Sequence, residues 1–262
     1  MNLDLKGKHA LIGGSSGGLG LASAIEISKL GADVTLLARN ESKLRTALNQ
    51  LDHSKGQNHQ FLVADFSDRN SVANAVGKCL SNGRIVHILV NNTGGPKPGA
   101  AINSAPELFA QAFSEHLLNF QSITQSVLEG MKKDGFGRIV NIISTSVKEP
   151  IPGLGVSNTI RAAVAAWAKT LSRELAGFGI TVNNVLPGYN RTARYDSLIE
   201  SITQSSGKSA KEAEEDIKRN IPAGRIGEPE EFGAVVAFLC TPAASYVNGI
   251  NLPVDGGRLS SL

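Results

Sequence analysis

The residues best equipped to do chemistry in this 262-residue chain are glycines, clustered in GGSSGGLG at residues 13–20. Gly14, Gly18 and Gly20 stand at a G-x-x-x-G-x-G spacing, preceded by the apolar run HALIG and followed by a helical pattern. A turn between a strand and a helix presents backbone N–H groups at a helix N-terminus, where they bind phosphate oxygens. Side chains there would block the tight turn, the approach of the pyrophosphate and helix–strand packing. The spacing alone is a weak sign of a dinucleotide, and the strand–turn–helix context strengthens it. About 20 residues further on, where the second strand should meet the adenosine ribose, the chain reads LLARN. An acidic residue there would accept from a ribose 2′-hydroxyl, whereas Arg39 suits a 2′-phosphate, so the expected cofactor is NADP(H). A surface arginine that merely closes the strand is the plainer alternative.

These residues need a scaffold, and the hydrophobic pattern predicts one. Runs at 9–13, 33–38, 59–64, 86–91, 137–143 and 180–187 are short, rich in Val, Ile and Leu, and apolar on both faces. Buried parallel strands covered by helices on both sides have that composition. Helical segments such as LGLASAIEISKLG, stopped by Gly31, alternate with them. The expectation is a single α/β domain over 1–262, a Rossmann-type doubly wound parallel sheet with helices on both faces. The polar stretch 195–220, with its charged KEAEEDIKR, interrupts this alternation. It predicts a helical substrate-lid insertion at about 193–222, or simply a solvated pair of amphipathic helices. Composition narrows the remaining classes. The net charge of +3 comes without a Lys/Arg run, which argues against a nucleic-acid partner. No apolar stretch has membrane-spanning length, so the expected setting is cytoplasmic. Cys79 and Cys240, without His or Cys neighbours at ligand spacing, read as reduced packing residues, and no metal is expected.

Taken together, GGSSGGLG, Asp65 in LVADFSD, NNTGG at 91–95, GRIVNIIS, ITVNNVLPGYNRT at 180–192, and GRIGEPEEFGAVVAFL with ASYVNGINLPVDGG resemble a short-chain dehydrogenase/reductase. The resemblance spans nearly the whole chain and is strongest to the β-ketoacyl carrier-protein reductase branch. It implies that Gly14, Ser16, Gly18, Leu19 and Gly20 hold the pyrophosphate, and that Asp65 meets the adenine edge. It further implies that Asn91 and Gly94 line the adenosine side, while Pro187, Gly188 and Thr192 hold the nicotinamide. A homodimer or homotetramer built on helices around 104–132 and 154–177 is implied as well. Gly13 and Thr93 replace the usual threonine and alanine, both with small residues.

Family chemistry uses a tyrosine as proton donor, a lysine four residues later, a serine that orients the carbonyl and an asparagine that anchors a water. Ser144 matches the serine. In register with the tyrosine and lysine stand Ser157 and Arg161, and His116 takes the asparagine position, with Asn119 a weaker candidate one turn away. A serine hydroxyl is a poor acid at neutral pH, which leaves His116, Tyr189 and Lys148 as replacement donors. Arg161 could still bond the nicotinamide ribose. Arg161, His116, Lys148, Lys97, Arg191 and Arg194 would ring one pocket with cationic or protonatable groups, which suits a small anionic substrate. Pairing of several of them with cofactor phosphates, or with Glu149 and Glu174, is the alternative. The expected function is an atypical NADP(H)-dependent oxidoreductase on an unknown carbonyl or alcohol. The alternative is a catalytically inactive NADP(H)-binding sensor or scaffold.

Overall fold

The computed structural model describes residues 1–261, apart from the side chain of Asn82. Seven parallel strands form one sheet: β1 (His9–Gly13), β2 (Asp33–Ala38), β3 (Gln60–Val63), β4 (Ile88–Asn91), β5 (Gly137–Ile142), β6 (Ile180–Pro187) and β7 (Asn251–Val254). Their spatial order is β3-β2-β1-β4-β5-β6-β7. The winding reverses between β1 and β4, and such a switch point opens a crevice at the carboxyl ends of the strands. The helices are α1 (Gly18–Lys29), α2 (Glu41–Leu48), α3 (Arg69–Cys79), α4 (Pro106–Phe113), α5 (Asn119–Asp134), α6 (Gly155–Leu175), α7 (Ala193–Ser206), α8 (Ala210–Lys218) and α9 (Pro229–Leu239).

Alternation along the strands sends successive side chains to opposite layers. Ala10, Ile12, Val34 and Leu36 pack with Ile27, Phe232 and Val236 from α1 and α9. Leu11, Leu37, Leu89 and Ile139 pack with Val76, Phe120 and Val164 from α3, α5 and α6. Helices α1 and α9 approach so closely that a Cβ on Gly233 would stand 2.6 Å from the Ala22 carbonyl oxygen. Cys79 and Cys240 are buried and unlinked.

Three strands match the sequence reading residue for residue, and β3, β4 and β5 are shorter. At β3 and β4, His59 and His87 stand just before the strand and use ring nitrogens in place of the regular pattern. His59 Nδ1 accepts from the Val34 N–H at 3.1 Å, and His87 Nδ1 accepts from the His9 N–H at 3.0 Å. Strand β7 has no counterpart in the sequence reading. It is four residues long and contains Pro253, which an edge strand tolerates because one side of it needs no donor.

Registration of the central strands stacks four asparagines in a row. Asn91 donates to Asn141 at 2.8 Å, Asn141 to Asn184 at 2.9 Å, and Asn184 to Asn251 at 2.8 Å. This amide ladder crosses β4 to β7 just below the crevice and pairs one donor with one acceptor at each step, while the Asn91 Oδ1 at its β4 end has no partner.

Between β6 and α9 the chain makes two helices with a small core of their own, centred on Tyr195, Ile217, Ile221 and Ile226. A capping box of Ser209 and Glu212 starts α8. The charged KEAEEDIKR thus forms a helix that turns Ala213 and Ile217 inward, with Glu214, Asp216 and Lys218 half-buried and its other charges exposed.

Candidate active site

The phosphate turn lies at the carboxyl end of β1. Gly14 and Gly18 both have φ +56, in the left-handed region that favours glycine. A Cβ on Gly20 would stand 2.4 Å from the Gly14 carbonyl oxygen. Helix α1 begins with no side-chain cap at Gly17, so its first N–H groups are open to an anion. Asn92, a residue the sequence reading passed over, donates its amide to the carbonyls of Gly13 at 3.2 Å and Gly14 at 3.3 Å and fixes the turn. Its neighbour Asn91 turns its side chain into the ladder beneath and is 1% exposed, so the amide aimed at the turn is that of Asn92. Thr192 lies across the groove, its methyl group 3.7 Å from where a Gly18 Cβ would be.

At the adenosine end, exposed Arg39 follows β2, and its charge acts on Asp65. The Asp65 carboxylate accepts from the Ser67 N–H at 2.9 Å and hydroxyl at 2.8 Å, which hold its pKa below the usual range. Ser16 lines a shallow cleft with Ser42 and Lys43 beside this end. Leu19 is half-buried and Gly94 exposed. Pro187 and Gly188 end β6, and a Cβ on Gly188 would stand 2.6 Å from the Asp255 Cα. A glycine turn with open N–H groups at one end and an arginine at the ribose end fit a dinucleotide 2′-phosphate.

Ser144 follows β5 in extended conformation, and its Oγ accepts from the Ser146 N–H at 3.0 Å. The hydroxyl proton therefore remains available to a ligand. Ser157 and Arg161 lie one turn apart on α6, both buried at 7% exposure. Arg161 Nη1 donates to the Ile142 carbonyl at 2.9 Å, which ties the guanidinium to the end of β5. Burial, with the charge of Arg194, lowers its pKa to about 10, so it is cationic at neutral pH.

His116 sits in a π-turn, Ser114–Leu118, between α4 and α5. Such widened turns recur at functional sites. Its ring is 0% exposed, meets Phe120 edge-on, and has a hydrogen-bond partner on neither nitrogen. Burial first, then the charges of Arg161 and Arg194, push its pKa down to about 2. His116 is therefore neutral at pH 7 and is no proton donor there, contrary to the sequence expectation. Asn119 donates instead to the Phe66 and Glu115 carbonyls, at 2.7 and 3.1 Å, a structural role.

Tyr189 packs near Tyr195 and under the Arg258 guanidinium, 5.2 Å from its ring centroid. Of the expected ring of cations, Arg191 is engaged elsewhere: it pairs with Glu214 at 2.9 Å and Glu228 at 3.3 Å. Arg194 is included, for its guanidinium lies 2.6 Å from where a Gly95 Cβ would stand and its charge reaches both His116 and Arg161. Glu149 accepts from the N–H groups of Ser260 and Ser261 and so pins the C-terminal tail.

Residues 14–258 match the family model described as enoyl-(acyl carrier protein) reductase. The 3-oxoacyl-[acyl-carrier-protein] reductase FabG of Rickettsia bellii is 33% identical over 98% of this chain and 99% of its own. The chain belongs to the short-chain dehydrogenase/reductase family. Among family members, the NADPH-dependent reductase BacG of Bacillus subtilis is 29% identical, over 97% of this chain and 99% of its own. The L-sorbose reductase of Gluconobacter frateurii, solved with NADPH and L-sorbose, superposes with a TM-score of 0.94 at 29% identity, and each chain is covered in full. Arg161, bonded to the Ile142 carbonyl two residues before Ser144, also acts by its charge on His116. Among the described residues, no three His, Cys, Asp or Glu side chains are grouped to hold a metal, and no helix is long and apolar enough to cross a membrane.

Proposed function

We propose that this chain is an NADP(H)-dependent oxidoreductase of a small carbonyl or alcohol substrate, with an active site altered from the family pattern. What supports the reading is the family membership together with an uncapped glycine turn at the start of α1 and an Arg161 guanidinium tied to the end of β5, two residues before Ser144. Bound in the groove, NADPH would supply the hydride. Gly14, Gly18 and Gly20 would hold the pyrophosphate, Thr192 the nicotinamide end, and Arg39 the 2′-phosphate. The two-helix insertion acts as a lid over the crevice.

Ser144 orients the substrate by donating a hydrogen bond, not a proton, to the carbonyl oxygen, since its Oγ already accepts from the Ser146 N–H. Arg161 places a permanent positive charge where negative charge develops on that oxygen, which lowers the barrier electrostatically. The Ser157 hydroxyl, with no protein partner among the described residues, passes a proton to the oxygen and takes one from water. His116 contributes a neutral ring that shapes the pocket. A slow proton delivery of this kind predicts lower turnover than a tyrosine would give.

The test is fluorescence titration with NADPH and NADH, followed by a panel of ketones, aldehydes and β-keto esters. Substrate-dependent NADPH consumption, reduced at least tenfold by Ser144→Ala, is the expected result. The neutrality of His116 favours a second reading, a nucleotide-state sensor or scaffold. Tight NADPH binding with no consumption across the panel would support that reading instead.

A further inference from the structure

The altered site contains two guanidinium groups and no carboxylate to balance them. Arg161 reaches it from α6 and Arg194 from the first turn of α7, and each charge depresses or opposes protonation of the groups around it. Among the described residues no acidic side chain lies within ion-pair distance of either arginine. The nearby acids are engaged elsewhere: Glu149 by the Ser260 and Ser261 N–H groups, Asp255 by those of Gly257 and Leu259. Arg161 spends only Nη1 on protein, at Ile142. No other side-chain bond of Arg161 is made among the described residues, so Nε and Nη2 remain available to a ligand. Both nitrogens of fully buried His116 are unpartnered beside it.

Like charges held together without an anion are an unfavourable arrangement that a bound anion relieves. A planar fork with unused donors fits a carboxylate in particular. We infer that Arg161 and Arg194 form a carboxylate subsite, so that the substrate is an oxo acid or hydroxy acid rather than a neutral ketone or a thioester. The inference rests on the reductase reading for its placement, since the carboxylate then lies beside the carbonyl that Ser144 engages. The first turn of α7 supplies half of the subsite, so the anion also draws the insertion onto the crevice. His116, neutral and unpartnered, is left to bond a polar atom of the same ligand.

The experiment is calorimetric titration of the protein–NADP⁺ complex with acetoacetate and 2-oxobutyrate, each compared with its methyl ester. Both acids are expected to bind at least tenfold more tightly than their esters. Arg194→Ala, an exposed position that should not disturb folding, is expected to abolish that preference while NADPH affinity changes less than threefold. Arg161→Lys keeps the charge but loses the fork and should weaken the acids more than their esters. Equal binding of acid and ester, or no binding of either acid, would overturn the subsite. Loss of NADPH affinity in Arg194→Ala equal to the loss for the acids would also overturn it, since Arg194 would then be a cofactor-phosphate contact. The two proposals fail separately. Acid binding without NADPH consumption sinks the reductase reading and leaves the subsite standing, whereas turnover of neutral ketones with no acid preference does the reverse.

Discussion

At the scale of single residues, Arg39 is the residue we propose to carry the cofactor preference. It is exposed at the end of β2 and makes no ion pair among the described residues, so its removal should leave stability within about 0.5 kcal/mol. A charge-assisted bond to a 2′-phosphate contributes about 1.5–3 kcal/mol, so Arg39→Ala should weaken NADPH binding by roughly ten- to a hundredfold. NADH, which lacks that phosphate, should bind as before. Paired fluorescence titrations decide the matter, and equal losses for both nucleotides would make Arg39 a plain surface residue. The glycine turn was legible in the sequence because its requirement is local: the left-handed backbone at Gly14 and Gly18 asks for glycine. The state of His116 was not legible. Its register was readable, but its burial depends on how the π-turn packs against α6, and its depressed pKa on arginines that arrive from two other elements.

Among elements, the asparagine ladder shows what strand sequences alone conceal. Asn91, Asn141, Asn184 and Asn251 lie in four separate motifs and become neighbours only through the registers Asn91↔Asn141, Asn141↔Asn184 and Asn184↔Asn251. The apolar runs located the strands, yet pairing is non-local, and one residue of slip would turn each amide to the other face. Strand β7 was hidden for a related reason, since Pro253 and a length of four residues carry little strand signal without β6 beside them. Asn141→Ala would leave the Asn91 donor and the Asn184 acceptor buried without partners, each costing about 1–3 kcal/mol. A loss of about 2–4 kcal/mol in urea unfolding is expected, with unchanged denaturant slope. A loss below about 0.5 kcal/mol would mean that the ladder is dispensable and the sheet is held by its apolar faces.

For the whole molecule, stability should depend on pH through histidines placed at opposite ends of the sheet. His9, at the amino end of β1, is pushed down to about 4, mainly by burial, and His116, in the crevice, to about 2. His59 and His87 are lowered as well, again chiefly by burial. His9 and His116 are therefore neutral in the folded protein through this window and take up a proton on unfolding below the ordinary value of about 6.5, and the shifts of His59 and His87 act in the same direction. The unfolded chain therefore binds more protons in this window, so stability rises with pH up to about 6.5 and falls as pH drops below it. Between pH 7 and pH 5, His116 and His9 should each remove about 2 kcal/mol, before the exposed carboxylates begin to titrate. His116→Asn removes one contributor without adding a charge. Its urea midpoint should fall less steeply between those pH values, by about 2 kcal/mol in unfolding free energy. Parallel pH profiles for the two proteins would mean that His116 is solvated or paired in solution, and the anion-free crevice would then be less electropositive than Arg161 and Arg194 make it.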